Sequence, residues 1–91
     1  MAAYSSTPLS TQVTLAAATA AKAPATAQTN RVLLKIFNDD TANPVYYGGS
    51  TVTTSTGIYI APGGESEWIP CSGDIWALST PGTTIRVLEL A

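Results

Sequence analysis

The residues best suited to catalysis in this chain are two pairs of carboxylates. Asp39 and Asp40 are adjacent, and Glu65 is separated from Glu67 by one serine. Two carboxylates that flank a glycosidic bond can act as the acid and base of its hydrolysis. The chain has no histidine and only one cysteine, so it lacks the commonest general base and cannot form a Cys–His nucleophile pair. Because both carboxylate pairs lie in or beside turn sequences, we interpret them as turn-capping and solubilising residues and predict that the protein is not an enzyme.

Side-chain oxygens also cluster at Asn38, Asp39, Asp40 and Asn43, and such oxygens are the ligands that Ca²⁺ prefers. Their spacing lacks the alternating ligands and the central glycine of an EF-hand loop. The Gly-rich stretches at 48–49 and 63–64 do not open a predicted helix, and no lysine follows them as in a phosphate-binding loop. We therefore predict no metal site and no cofactor.

The aromatic side chains suit contact rather than catalysis. Exposed Tyr and Trp on a β-sheet can stack on sugar rings or anchor a protein interface. Trp76 and Tyr47 are flanked by aliphatic residues in alternating sequence, so we predict that both fill the core. We predict interface roles for the following residues: Tyr4, Leu9, Tyr46, Tyr59 and Trp68.

Composition narrows the range of partners. The 91 residues allow one domain, the net charge is -2, and only 11% of the residues are charged. The four basic residues are scattered, which argues against nucleic acid and anionic membrane surfaces as partners. The apolar run from Val13 to Ala21 is too short to span a bilayer, and no basic residue precedes it as in a secretory signal. We expect synthesis in a cytoplasm and no membrane partner.

The stretch Arg31–Ser50 predicts a β-hairpin. Val32, Leu34 and Ile36 share one side of an extended backbone, because side chains alternate faces with a period of two. A polar turn follows at 38–44, and the apolar residues at 45–47 resume the extended run.

Further short strands are predicted at 12–15, 57–60, 65–69, 75–79 and 84–90, separated by turn sequences such as Pro62-Gly63. This spacing, without a helical period, indicates an all-β sandwich or barrel formed by residues 12–91. Several of these strands are apolar on both faces. A sandwich needs only one apolar face per sheet, so the second must meet a subunit, a larger surface or the N-terminal segment.

Residues 1–11 are small and uncharged, and Pro8 opposes a helix. They predict an extended N-terminal arm, with Tyr4 and Leu9 as the residues able to anchor it. A frayed terminus is the alternative.

The chain from Arg31 to Leu90 resembles a family of small tailed-bacteriophage virion proteins. Four of the motifs that carry this resemblance are R-x-x-L-x-I-x-N at 31–38, V-Y-x-G-G-S at 45–50, T-x-x-T-G-x-x-I-x-P-G at 53–63, and I-R-V-L-E-L at 85–90. An aromatic strand, D-I-W-A-L, stands at 74–78. Such proteins include capsid cement (decoration) proteins, head fibres and tail parts.

The resemblance implies a small β-sandwich that is jelly-roll-like; the sequence also allows an immunoglobulin-like strand order as the alternative. It implies a structural role without catalytic residues: a cement protein on the capsid surface that bridges major capsid protein subunits as a homotrimer. The alternative is a carbohydrate- or receptor-binding module of a head fibre or tail that uses Tyr46, Tyr59 or Trp68. An N-terminal arm could add a strand to a neighbour's sheet.

Overall fold

The computed structural model describes residues 7–91, which form seven strands and no helix. The strands are β1 (Pro8–Leu15), β2 (Ala21–Lys22), β3 (Leu33–Asn38), β4 (Val45–Gly48), β5 (Ile58–Ile60), β6 (Trp76–Leu78) and β7 (Thr83–Leu90). They form two sheets with the strand orders β1-β7-β3 and β2-β6-β4-β5, and every pair of neighbours is antiparallel. The predicted all-β sandwich is therefore confirmed.

An irregular segment, residues 64–69, extends the first sheet beyond β3. The backbone groups of Leu34 and Ile69 bond each other in both directions, at 3.0 and 2.8 Å. The Ser66 N–H donates to the carbonyl oxygen of Ile36, also at 2.8 Å, and isolated bridges join the two segments at both ends. The first sheet thus has the full order β1-β7-β3-(64–69).

The strand orders of the two sheets are those of a long antiparallel ribbon that is rolled into two layers. Along the ribbon, β1 pairs with β7, β2 with β6, β3 with the segment 64–69, and β4 with β5. The pairs β7–β3 and β6–β4 then close the two sheets. The seven strands together with the segment 64–69, in this arrangement, make a jelly roll. The immunoglobulin-like alternative would place the first two strands side by side in one sheet, and here they lie in different sheets.

The predicted hairpin over residues 31–50 is wrong, although both of its strands exist. β3 belongs to the first sheet and β4 to the second, so they do not pair with each other. The polar stretch between them carries the chain from one layer to the other. Asn38 at the end of β3 holds this crossing, since its side-chain nitrogen donates to the carbonyl oxygens of Asn43 (2.9 Å) and Ala61 (3.2 Å).

The core lies between the two sheets and follows the predicted alternation. Its buried members come from six of the seven strands and from the β2–β3 connection: Leu15, Ala23, Leu34, Ile36, Val45, Ile60, Ala77, Ile85 and Val87. Tyr47 packs against this cluster, as predicted. The core placement predicted for Trp76 is wrong, because its neighbour Ala77 takes the inward position and turns Trp76 to the outer face of the sheet.

The first strand begins earlier than the sequence suggests. β1 pairs residue for residue with β7 from Pro8 opposite Leu90 to Leu15 opposite Thr83. The predicted boundary between an arm and a domain, at residues 11 and 12, therefore falls within a strand. Residues 1–6, including the predicted anchor Tyr4, lie outside the described residues.

Candidate interaction surfaces

The oxygen cluster at 38–43 serves the backbone of its own loop. The Asp40 carboxylate accepts the N–H groups of Ala42 (2.8 Å) and Asn43 (3.0 Å), and the Asn38 side-chain oxygen accepts the N–H of Asp40 (2.9 Å). The hydrogen bond from Ala42 is the main cause of a lowered pKa for Asp40. The fourth residue of the cluster, Asp39, bonds Arg86 instead (2.8 Å). Within residues 7–91, no three His, Cys, Asp or Glu side chains are placed so that they could hold a metal ion.

Each of the chain's four basic side chains pairs with a carboxylate. Three of these pairs are at least partly exposed: Lys22–Asp74 at 3.6 Å, Lys35–Glu65 at 3.0 Å and Arg86–Asp39 at 2.8 Å. These pairs leave the described surface without a concentrated positive patch, in agreement with the scattered basic residues of the sequence.

The fourth pair, Arg31–Glu89, is fully buried. Arg31 Nη1 donates to Glu89 Oε2 at 2.7 Å, and neither side chain has any exposed area. Arg31 also donates to the carbonyl oxygens of Cys71 (2.9 Å) and Gly73, while the Gln28 N–H donates to the same Glu89 oxygen (3.0 Å). This network joins β7 to the β2–β3 connection and to the loop before β6. Both partners stand in motifs of the resemblance, and both have a structural function here.

The outer face of the first sheet carries apolar side chains, and we call it the leucine face. Its apolar residues are Leu33, Phe37, Leu88 and Leu90, all partly exposed. Leu33 stands opposite Leu90, and Phe37 opposite Arg86, and residues directly opposite each other share a face. A shallow depression of about 380 Å³ lies on this face, lined by Phe37, Leu88, Arg86 and parts of neighbouring residues. An apolar side chain of a partner could enter it.

Trp68 extends the leucine face at its edge. It belongs to the segment 64–69, is 42% exposed, and lies beneath Lys35, whose Nζ is 5.0 Å from the ring centre. A cation above an aromatic face is attracted by the ring quadrupole. Leu9 is also in this sheet and is 43% exposed, but it stands opposite Glu89, so it points to the core side at the open edge.

The outer face of the second sheet is aromatic, and we call it the tyrosine face. Tyr46 stands opposite Tyr59, and their rings form an edge-to-face pair with centres 5.7 Å apart. Tyr59 is 58% exposed. Trp76, opposite Gly48, lies on the same face of this sheet. Tyr47 points to the other side, where burial raises the pKa of its hydroxyl and the Glu67 charge adds to the effect.

The structure thus divides the residues that the sequence grouped as one interface. Tyr46 and Tyr59 are together on the tyrosine face, while Trp68 and Leu9 belong to the other sheet. Trp76, for which the sequence predicts a core position, is the third aromatic residue of the tyrosine face. The sequence predicts strands that are apolar on both faces, and Leu33, Leu88 and Leu90 provide the second apolar face of β3 and β7.

No family model matches the chain, and neither a curated protein nor a solved structure matches it. Residues 7–91 include no helix that is long and apolar enough to cross a membrane.

Proposed function

We propose that this chain is a non-enzymatic structural protein of a phage virion, of the capsid cement type. It would dock on the head shell through the leucine face and stabilise the shell by bridging major capsid protein subunits. The observation that carries this proposal is the leucine face itself: a sheet in a small sandwich presents apolar side chains on the side away from its own core. The motif resemblance supports the phage shell as the partner.

The charges on this face are already neutralised within the chain. Lys35 pairs with Glu65 and Arg86 pairs with Asp39, so the polar groups that border the leucines carry their counter-charges with them. A face of this kind can be covered by another protein without leaving an isolated charge behind. Burial of apolar area stabilises by about 25 cal/mol per Å², and a stable protein contact buries roughly 800 Å² on each partner.

The experiment mixes the purified protein with expanded shells of the major capsid protein from the same phage and sediments them. Binding that saturates at a fixed ratio to the shell protein supports the cement function. A protein that stays in the supernatant at every concentration contradicts it. Light scattering on the free protein measures the oligomer, for which the resemblance implies a trimer.

The tyrosine face supports a second candidate, a carbohydrate- or receptor-binding module of a head fibre or tail. Jelly rolls occur in both capsid and lectin domains, and the fold alone does not choose between them. The exposed ring of Tyr59, held by Tyr46, offers a stacking surface for a sugar. Glycan-array binding that Tyr59→Ala abolishes and Trp68→Ala leaves intact would favour this function over cement.

A further inference from the structure

β1 forms an open edge of the first sheet. It is eight residues long, pairs with β7 on one side, and has no strand on its other side among the described residues. None of its residues is charged, and Pro8 is the only proline, at its first position. Natural sheets usually protect long edges with charged residues, prolines, bulges or a covering loop, because a bare edge is a template for another strand.

The alternation of the β1–β7 ladder shows which backbone groups face outward. Thr7 and Ala91, one step beyond the strand, bond each other in both directions. Residues two apart repeat this geometry in an antiparallel ladder, so Leu9, Thr11 and Val13 direct their backbone groups to β7. The N–H and C=O groups of Ser10, Gln12 and Thr14 therefore point to the open edge, and the side chains of these three residues are exposed.

We propose that the β1 edge binds the β1 edge of a second copy of this chain, antiparallel and about a twofold axis at Gln12. In this register, Gln12 stands opposite Gln12 of the second copy and Ser10 stands opposite its Thr14. All three outward donors and all three acceptors of each copy are then paired, giving about six hydrogen bonds between the copies. One sheet runs through both molecules.

The side chains fit this register on both faces of the joined sheet. A twofold axis perpendicular to the sheet keeps each leucine face on the same side, so the two faces become one larger apolar surface. On the core side, the 43% exposed Leu9 stands opposite Leu15 of the second copy, so it meets no polar side chain there, although Leu15 is only 2% exposed and already packed in its own core. No charged residue meets a like charge along the edge, since β1 contains none.

A register centred on Thr11 gives about the same number of hydrogen bonds, but it leaves the carbonyl oxygen of each Thr14 without a donor. It places Pro8 opposite Thr14, and proline has no N–H to donate. The Gln12 register instead uses only residues with both a donor and an acceptor. The inference goes beyond the proposed function, and it predicts an even-numbered oligomer in place of the trimer.

The test measures the mass of the free protein by light scattering over a range of concentrations. The natural sequence should approach twice the 9.4 kDa monomer mass as concentration rises. Gln12→Pro removes an outward N–H without removing a bond to β7, and it should weaken dimerisation about tenfold or more. Gln12→Lys, which places a charge at the twofold axis, should act in the same direction. Thr54→Lys, on an exposed loop, is the matched control and should leave the dimer intact.

Amide hydrogen exchange supplies a second readout that does not depend on the variants. The amides of Gln12 and Thr14 should exchange slowly only at concentrations where the dimer forms, whereas Thr11 and Val13 should be protected throughout. A monomer at all concentrations, a trimer, or a dimer that Gln12→Pro leaves unchanged would overturn the proposal. A monomer that still co-sediments with shells refutes the edge pairing alone; a dimer that does not co-sediment refutes the cement function alone.

Discussion

At the scale of single residues, two arginine–carboxylate pairs of almost equal length differ in their surroundings. Arg31–Glu89 is fully buried at 2.7 Å, whereas Arg86–Asp39 is exposed at 2.8 Å, with 68% of the arginine side chain accessible. Removal of one partner of a buried pair leaves an uncompensated charge in the core, while exposed pairs contribute little. Burial therefore decides what each pair does for stability.

We predict that Arg31→Met lowers the free energy of unfolding by about 3–5 kcal/mol, because Glu89 loses its counter-charge. Arg86→Met, the matched control, should change it by about 1 kcal/mol or less. Urea denaturation of both variants measures the difference. The double variant Arg31→Met/Glu89→Met should recover part of the loss, since no isolated charge then remains. Equal effects of the two single variants would contradict this account.

The carboxylate of Asp40 predicts a pH effect. The hydrogen bond from Ala42 lowers its folded pKa below the ordinary value of 3.8, so the ionised form stabilises the fold. This contribution is complete above the unfolded pKa and is lost as pH falls through the lower folded pKa. We predict that the stability difference between the natural protein and Asp40→Asn narrows as pH falls below 3.8. Denaturation at a series of acidic pH values measures it; a difference constant with pH would refute the prediction.

Only one partner of the buried ion pair could be predicted from the sequence. Glu89 shares its strand face with Ile85 and Val87, so alternation alone places a carboxylate on the core side. Its partner could not be found in this way, because the strand alternation does not extend to the start of the motif: Arg31 is buried and Val32 is 45% exposed. An irregularity of one residue in the backbone reverses the faces that a period of two predicts.

At the scale of elements, the sequence predicted strands better than their partners. A period of two identifies the core face of β3 and β7, and the turn residues at 61–64 are correctly predicted. Gly63 has a φ of 70°, and the Gly64 N–H bonds the carbonyl oxygen of Ala61 at 2.9 Å, as in a type II turn. Which strands pair depends on whether the connection between them stays in one sheet or crosses to the other. Residues 39–44 have the composition of a hairpin turn, but they connect β3 in the first sheet to β4 in the second. Local turn chemistry does not distinguish these two paths.

The turn between β6 and β7 depends on a glycine. Gly82 has a φ of 78°, and a Cβ there would come within 2.8 Å of the carbonyl oxygen of Leu15, at the end of β1. We predict that Gly82→Ala lowers the free energy of unfolding by about 1–3 kcal/mol, through strain and the displacement of β1. Gly49→Ala is the matched control, since nothing lies within 4 Å of its Cβ position. Thermal denaturation of both variants measures the contrast, and a Gly49 effect as large as the Gly82 effect would disprove the explanation.

At the scale of the whole molecule, the sandwich has two outer faces that differ in chemistry. The leucine face is aliphatic and bordered by neutralised charges, whereas the tyrosine face carries edge-to-face aromatic rings. A surface variant on one face leaves the other unchanged, because the core separates them. The two proposed functions can therefore be separated by mutation.

Leu88 is the best position for that separation, because it lies in the central strand of the leucine face, between Ser10 and Lys35. We predict that Leu88→Lys keeps the fold, measured by circular dichroism, and weakens shell binding in co-sedimentation about tenfold or more, since a charge would be buried at the contact. Thr54→Lys adds the same charge outside both faces and should bind shells normally. Tyr59→Ala should also bind normally if the leucine face is the docking surface. Shell binding lost in Tyr59→Ala and kept in Leu88→Lys would transfer the docking role to the tyrosine face.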